Sequence, residues 1–147
     1  MIVDISGPSI PRLPRREIES FARKALRAIE KEGGAGFRPS ELSIALLDDR
    51  AMAKLNARYR GKRTTTDVLT FGDEGIDALP GARPLGDVAI SVDQAKRQAR
   101  AEGHSLATEI RYLILHGMIH AFGWDHEGDR GEMDALEMKV RERVGLW

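Results

Sequence analysis

Apolar residues recur every three or four positions through Arg15–Lys31, where Ile18, Phe21, Ala22, Ala25, Leu26 and Ile29 predict one face of a helix. Gly33-Gly34 stops it. Residues 1–5 predict a short edge strand closed by Gly7-Pro8, and residues 42–47 form a compact β-like run. Asp49 is placed to cap a second helix that carries Met52 and Leu55 on one face and reaches about Tyr59. Residues 67–71 and 87–91 predict two more strands. Residues 72–86 hold four Gly and two Pro, which predicts an exposed loop. A helix over 93–102 ends at Gly103, and the longest apolar helix starts near Ser105, running through Leu106, Ile110, Leu113, Ile114 and Ile119 to Gly123. The last helix, over 131–144, sets Met133, Leu136, Val140 and Val144 on one face. Four short strands with four or five helices predict an α+β fold, a single domain over 1–147 with a small mixed sheet.

Composition narrows the chemistry. The chain has 147 residues, with 23 Lys plus Arg balanced by 23 Asp plus Glu, so no uniformly basic surface advertises nucleic acid or membrane. It has no Cys, which excludes a disulfide framework, a thiolate nucleophile and a Cys-type metal site. Any metal must be held by His and carboxylates. Residues 1–11 are too short and too broken by Asp4, Gly7 and Pro8 for a signal peptide's apolar region, and no apolar run approaches a membrane span. A soluble, cytoplasmic protein is the expectation.

The histidines are the most informative feature. Three of the four lie within eleven residues, in His116-Gly-Met-Ile-His120-Ala-Phe-Gly123-Trp-Asp125-His126. Helix positions i and i+4 are about 40° apart on one face, so His116 and His120 can offer nitrogens to one ion. Continuing the helix would carry His126 away. Gly123 tolerates the positive φ of a helix end, which lets the chain turn back and deliver His126 from the far side. Three imidazoles with an open fourth position describe a catalytic zinc site, one ion per chain, at which a water can lose a proton near neutral pH. Nickel or copper would also suit such ligands. The spacing matches the metzincin protease pattern H-E-x-x-H-x-x-G-x-x-H except that Gly117 replaces its general-base Glu. Peptidase chemistry is thereby disfavoured, since losing a general base typically forfeits about 10²–10⁴ in rate.

These residues resemble the YbeY family of metal-dependent endoribonucleases. The block His116-Gly117-x-x-His120-x-x-Gly123-Trp124-Asp125-His126 carries the resemblance. Upstream, Leu55-Asn56-x-x-Tyr59-Arg60, Thr66-Asp67-Val68-Leu69-Thr70-Phe71 and Leu85-Gly86-Asp87-Val88 support it in the same order. Ile119, Ala121, Trp124 and Thr70 depart from the family's usual residues. Of these, Ala121 is smaller and implies local repacking, and no ligand is lost. The resemblance implies zinc ligation by His116, His120 and His126 and a functional role for Arg60. It also implies a single-strand-preferring ribonuclease acting on precursor rRNA, with the small ribosomal subunit and its assembly factors as partners, in rRNA maturation and ribosome quality control.

Other candidates divide by chemistry. Arg58, Arg60, Lys62 and Arg63 crowd six positions, which as sequence alone fits a solvated helix end. With the resemblance, Arg60 becomes the candidate phosphate clamp, because its planar fork suits phosphate, and Lys62 and Arg63 become candidates for flanking phosphates. Asp125 is placed to orient an imidazole or to act as base; orientation is the preferred reading. Glu109 precedes His116 by two helical turns and could face the site as an alternative base, or could be a surface or capping carboxylate. His104 reads as a surface residue, and Asp67 and Asp87 as turn residues. The nucleophile, water or an RNA 2′-hydroxyl, stays open. Two rival readings remain: a non-catalytic assembly factor with structural zinc, and a metallohydrolase for another substrate such as peptides.

Overall fold

Alternation along the strands decides the architecture. The computed structural model describes residues 1–61, 67–71, 82–124 and 129–146, with Arg60 and Ala82 described in backbone only. Its elements in chain order are β1 (Ile2–Ser6), α1 (Arg15–Lys31), β2 (Arg38–Pro39), β3 (Glu41–Leu47), α2 (Asp49–Arg60), β4 (Val68–Phe71), β5 (Ala82–Arg83), β6 (Gly86–Ser91), α3 (Val92–Glu102), α4 (Leu106–Ala121) and α5 (Glu132–Val144). The main sheet runs β1-β3-β6-β4, with β4 antiparallel to β6 and the other neighbours parallel. Leu42, Ile44, Leu46, Val88 and Ile90 point into the larger core, against helices α1, α4 and α5. The intervening Ala45, Leu47, Leu69, Ala89 and Phe71 meet Met52 and Leu55 of α2 on the opposite face. Both faces are therefore covered, as parallel strands joined by helical crossovers require.

The α+β class, the mixed four-stranded sheet and the five helices agree with the sequence reading, and β1 is an edge strand as expected. Two details differ. The cap of α2 is Asp48, whose carboxylate accepts from the Ala51 amide at 2.7 Å. Asp49 is the first helical residue, and its carboxylate instead binds the Ser91 hydroxyl at 2.9 Å and Arg97 at 2.8 Å. Within the stretch read as an exposed loop, Ala82–Arg83 pairs in parallel with Arg38–Pro39, and Leu85 and Gly86 are buried; residues 72–81 lie outside the described residues. Strands of two residues, one of them ending in Pro, leave no alternation to read.

Helix α4 is the central element. Ala107, Ile110, Leu113, Ile114, Leu115, Met118 and Ile119 are all buried, so it is apolar nearly all round. Ser105 caps its start, accepting from the Thr108 amide at 3.1 Å, and Gly123 follows its end at φ +99°. The helix approaches the sheet at Gly117. A Cβ there would stand 2.6 Å from Val88 Cγ1, and the Thr70 hydroxyl donates to the Gly117 carbonyl at 3.3 Å. Among the described residues, no helix is long and apolar enough to cross a membrane.

Candidate functional site

The i, i+4 spacing on α4 brings His116 and His120 together. Their Nε2 atoms are 3.0 Å apart, and the rings meet nearly edge-on with centroids at 4.6 Å. Behind them, Glu137 of α5 accepts the Nδ1–H of His116 at 3.2 Å. A carboxylate can only accept, so the neutral His116 tautomer carries its proton on Nδ1 and turns the Nε2 lone pair toward His120. Two imidazoles that converge in this way need a shared proton or a cation. For two ligands on a tetrahedral zinc, bond lengths of about 2.0–2.1 Å put the nitrogens about 3.3 Å apart, close to the observed separation. The carboxylate–imidazole pairing behind one donor is the arrangement that orients metal-binding histidines. The donor set fits a borderline ion such as zinc.

Glu137 is itself held. Arg141, one turn along α5, approaches its carboxylate at 3.4 Å and lays its guanidinium 4.6 Å over the Tyr112 ring. Burial alone would raise the Glu137 carboxyl, but the hydrogen bond from His116, the charge that ring carries when protonated, and then Arg141 outweigh it and hold the group below its ordinary value. Glu137 thus stays an acceptor for His116.

His116 and Glu137 line a cleft of about 550 Å³ together with Gln98, His104, Glu109 and Tyr112. Glu109, read from sequence as either facing the site or lying at the surface, is buried and lines this cleft. His104 corrects the sequence reading: it is half-buried, its Nε2 contacts the Glu109 carboxylate, and its ring packs on Tyr112 at 5.5 Å. The pairing spans the N-cap Ser105 into the first turn of α4, which spacing rules for helical ligands do not cover. Asp67 accepts from the Val68 amide at 2.8 Å, in keeping with a turn role, and also from the Gln98 side chain at 3.1 Å.

Other candidates are placed less completely. Arg60 is the last residue of α2, ahead of Gly61 in the left-handed region. Lys62, Arg63, Asp125 and His126 lie outside the described residues. The chain on either side of 125–128 is nonetheless anchored. After the turn at Gly123, Trp124 donates its indole N–H to the Gly34 carbonyl at 2.9 Å. Asp129 accepts from the amides of Gly131, the N-cap of α5, and Met133 at 2.9 and 3.1 Å. Sequence reasoning overlooked Glu137, although a signal was present: it stands three residues before Val140 and four after Met133, a carboxylate on the apolar face of the last helix.

A family model described as Endoribonuclease YbeY matches residues 9–145. The chain is similar to the protein named Endoribonuclease YbeY of Wolinella succinogenes, at 44% identity over 108 residues covering 74% of each chain. It is 43% identical over 106 residues to that of Nautilia profundicola, covering 72% of this chain and 73% of the relative. It is 41% identical over 134 residues to that of Solibacter usitatus, covering 91% and 82%. Among solved structures, the solution structure of TM1509 from Thermotoga maritima matches with a TM-score of 0.62 over 97% of this chain and 89% of that one, at 24% identity, a likeness of fold.

Proposed function

The chain belongs to the YbeY endoribonuclease family, and from that membership we propose that it is a zinc-dependent ribonuclease whose active centre is built on His116 and His120. The observation that carries this reading is the convergence of the two Nε2 atoms at 3.0 Å, with Glu137 holding the other nitrogen of His116. His126 supplies the third nitrogen in this reading, one zinc per chain. Zinc held there supplies Lewis acidity toward a phosphate oxygen and an oxygen nucleophile. Glu137 keeps His116 in the donor tautomer, and the hydrogen bond from His116, with Arg141 beside it, keeps Glu137 ionised. Arg60 neutralises charge developing on the phosphate, and Lys62 and Arg63 hold flanking phosphates.

The substrate in this reading is single-stranded precursor rRNA, encountered with the small ribosomal subunit and its assembly factors, in rRNA maturation and ribosome quality control. The peptidase alternative meets a physical obstacle. The position of a metzincin general base is Gly117, and a Cβ there already runs into Val88. The test is cleavage of a defined single-stranded RNA, with a peptide panel alongside, by wild type, Arg60→Ala and His120→Ala. The reading expects RNA cleavage lost in both variants, and no peptide hydrolysis. Peptide hydrolysis that survives loss of Arg60 would contradict it. Product ends identify the nucleophile: a 2′,3′-cyclic phosphate requires the 2′-hydroxyl.

A further inference from the structure

Few large apolar side chains are exposed among the described residues, and Tyr59, at 56% exposure, is one of them. It lies in the last turn of α2, between Arg58 and Arg60, just before Gly61 ends the helix at φ +69°. Its ring rests on Phe71 of β4, with centroids 4.8 Å apart and planes at 58°. Phe71 in turn packs on the small core of Met52, Leu69 and Ala89. Tyr59 is therefore an aromatic surface on a fixed base.

Its surroundings select the occupant. The Arg58 guanidinium stands 5.4 Å from the Tyr59 ring centroid. An exposed cation–π contact is weaker than the stack of a nucleobase on an aromatic ring, so a base can displace Arg58 and leave it free to meet a phosphate. An aromatic face beside cations is the combination that binds single-stranded nucleic acid without reading its sequence. The platform is also linked to the histidine pair. Phe71 follows Thr70 in β4, and the Thr70 hydroxyl bonds the Gly117 carbonyl beside His116. Alternation along β4 turns Phe71 to the α2 face and Thr70 toward α4, so the two sites sit on opposite faces of an edge strand.

We propose that Tyr59, supported by Phe71 and flanked by Arg58, is a stacking platform for a nucleobase that flanks the cleaved position, with the RNA strand passing over the edge at β4. This rests on the ribonuclease reading and adds a source for single-strand preference, because a base paired in a duplex cannot lay its face on Tyr59.

The test measures binding of the zinc-loaded protein to fluorescent 2′-O-methyl oligoadenylate and to an abasic strand with the same number of phosphates. Tyr59→Ala and Tyr59→Leu should weaken binding of oligoadenylate roughly 5- to 100-fold, the range of one base–aromatic stack. Binding of the abasic strand should not change. Tyr59→Trp should restore affinity, with its added fluorescence quenched on binding. Equal affinity of wild type and Tyr59→Ala for oligoadenylate overturns the platform, as does an equal loss for both strands. Wild type that cuts RNA without dependence on Tyr59 overturns the platform alone. Tyr59-dependent binding without any RNA cleavage keeps the platform and overturns the ribonuclease reading.

Discussion

A carboxylate on the apolar side of a helix needs a partner, and for Glu137 that partner is His116 at 3.2 Å, with Arg141 approaching the same Oε1 at 3.4 Å. If His116 binds zinc, Glu137 sets its tautomer, and its loss should be felt in metal affinity before it is felt in the fold. Glu137→Ala is expected to weaken zinc binding by about 10–100-fold, the usual cost of removing an outer-shell carboxylate. Competition with a chelator of known affinity measures this, with the exposed Glu142→Ala as the control. Equal affinities in the two variants would remove Glu137 from the metal centre. At this scale the histidine pair was legible because i, i+4 spacing is a local rule. The partners of His116 and His104 were less so. Glu137 arrives from another helix, 21 residues on, and Glu109 meets His104 across a turn. No local periodicity links either pair.

At the scale of elements, the central contact is α4 against β6 and β4. Gly117 is retained by close approach rather than by a positive φ, for it sits inside a regular helix with Val88 against it. Gly117→Ala would gain helix propensity at an interior position, worth about 1 kcal/mol. The Cβ at 2.6 Å from Val88 Cγ1 works against that gain, since overpacking costs typically about 1–3 kcal/mol. The net expectation is destabilisation in urea unfolding, relieved in part by Val88→Ala in the same chain. Additive effects of the two substitutions would deny the contact. Apolar periodicity revealed α4 and its ends, since Ser105 and Gly123 punctuate it. It gave no sign that Gly117 faces the sheet, because a glycine carries no polarity to place it. The cap of α2 slipped by one residue for a related reason: Asp48 and Asp49 are equally good caps in sequence, and Ser91 and Arg97, brought from far along the chain, engage the second.

Across the whole molecule, net charge is zero, yet an RNA-cutting enzyme must attract a polyanion. In the proposed function the basic residues of 58–63 would resolve this by local concentration rather than by excess. Single-strand binding then releases few counterions. Each neutralised phosphate contributes a slope of about −0.7 to log affinity against log salt, so a patch this small should give about −1 to −3. Arg60→Ala should make the slope shallower by about 1. A slope near that of an extended basic groove would place the RNA elsewhere on the surface. The overall architecture was readable because the longer strands and the helices each repeat their own period. The two-residue pair of β2 and β5 was not, since it has no period.

In the proposed function, zinc at His116 and His120 is the centre that cuts RNA. The most direct measurement is titration of metal-free protein with zinc while cleavage of a defined single-stranded RNA is followed, in wild type and in His120→Ala. Cleavage by wild type should rise in proportion to zinc and saturate at one ion per chain, and His120→Ala should neither retain zinc nor cut. Full cleavage by the metal-free wild type, or undiminished cleavage by His120→Ala, would contradict the account.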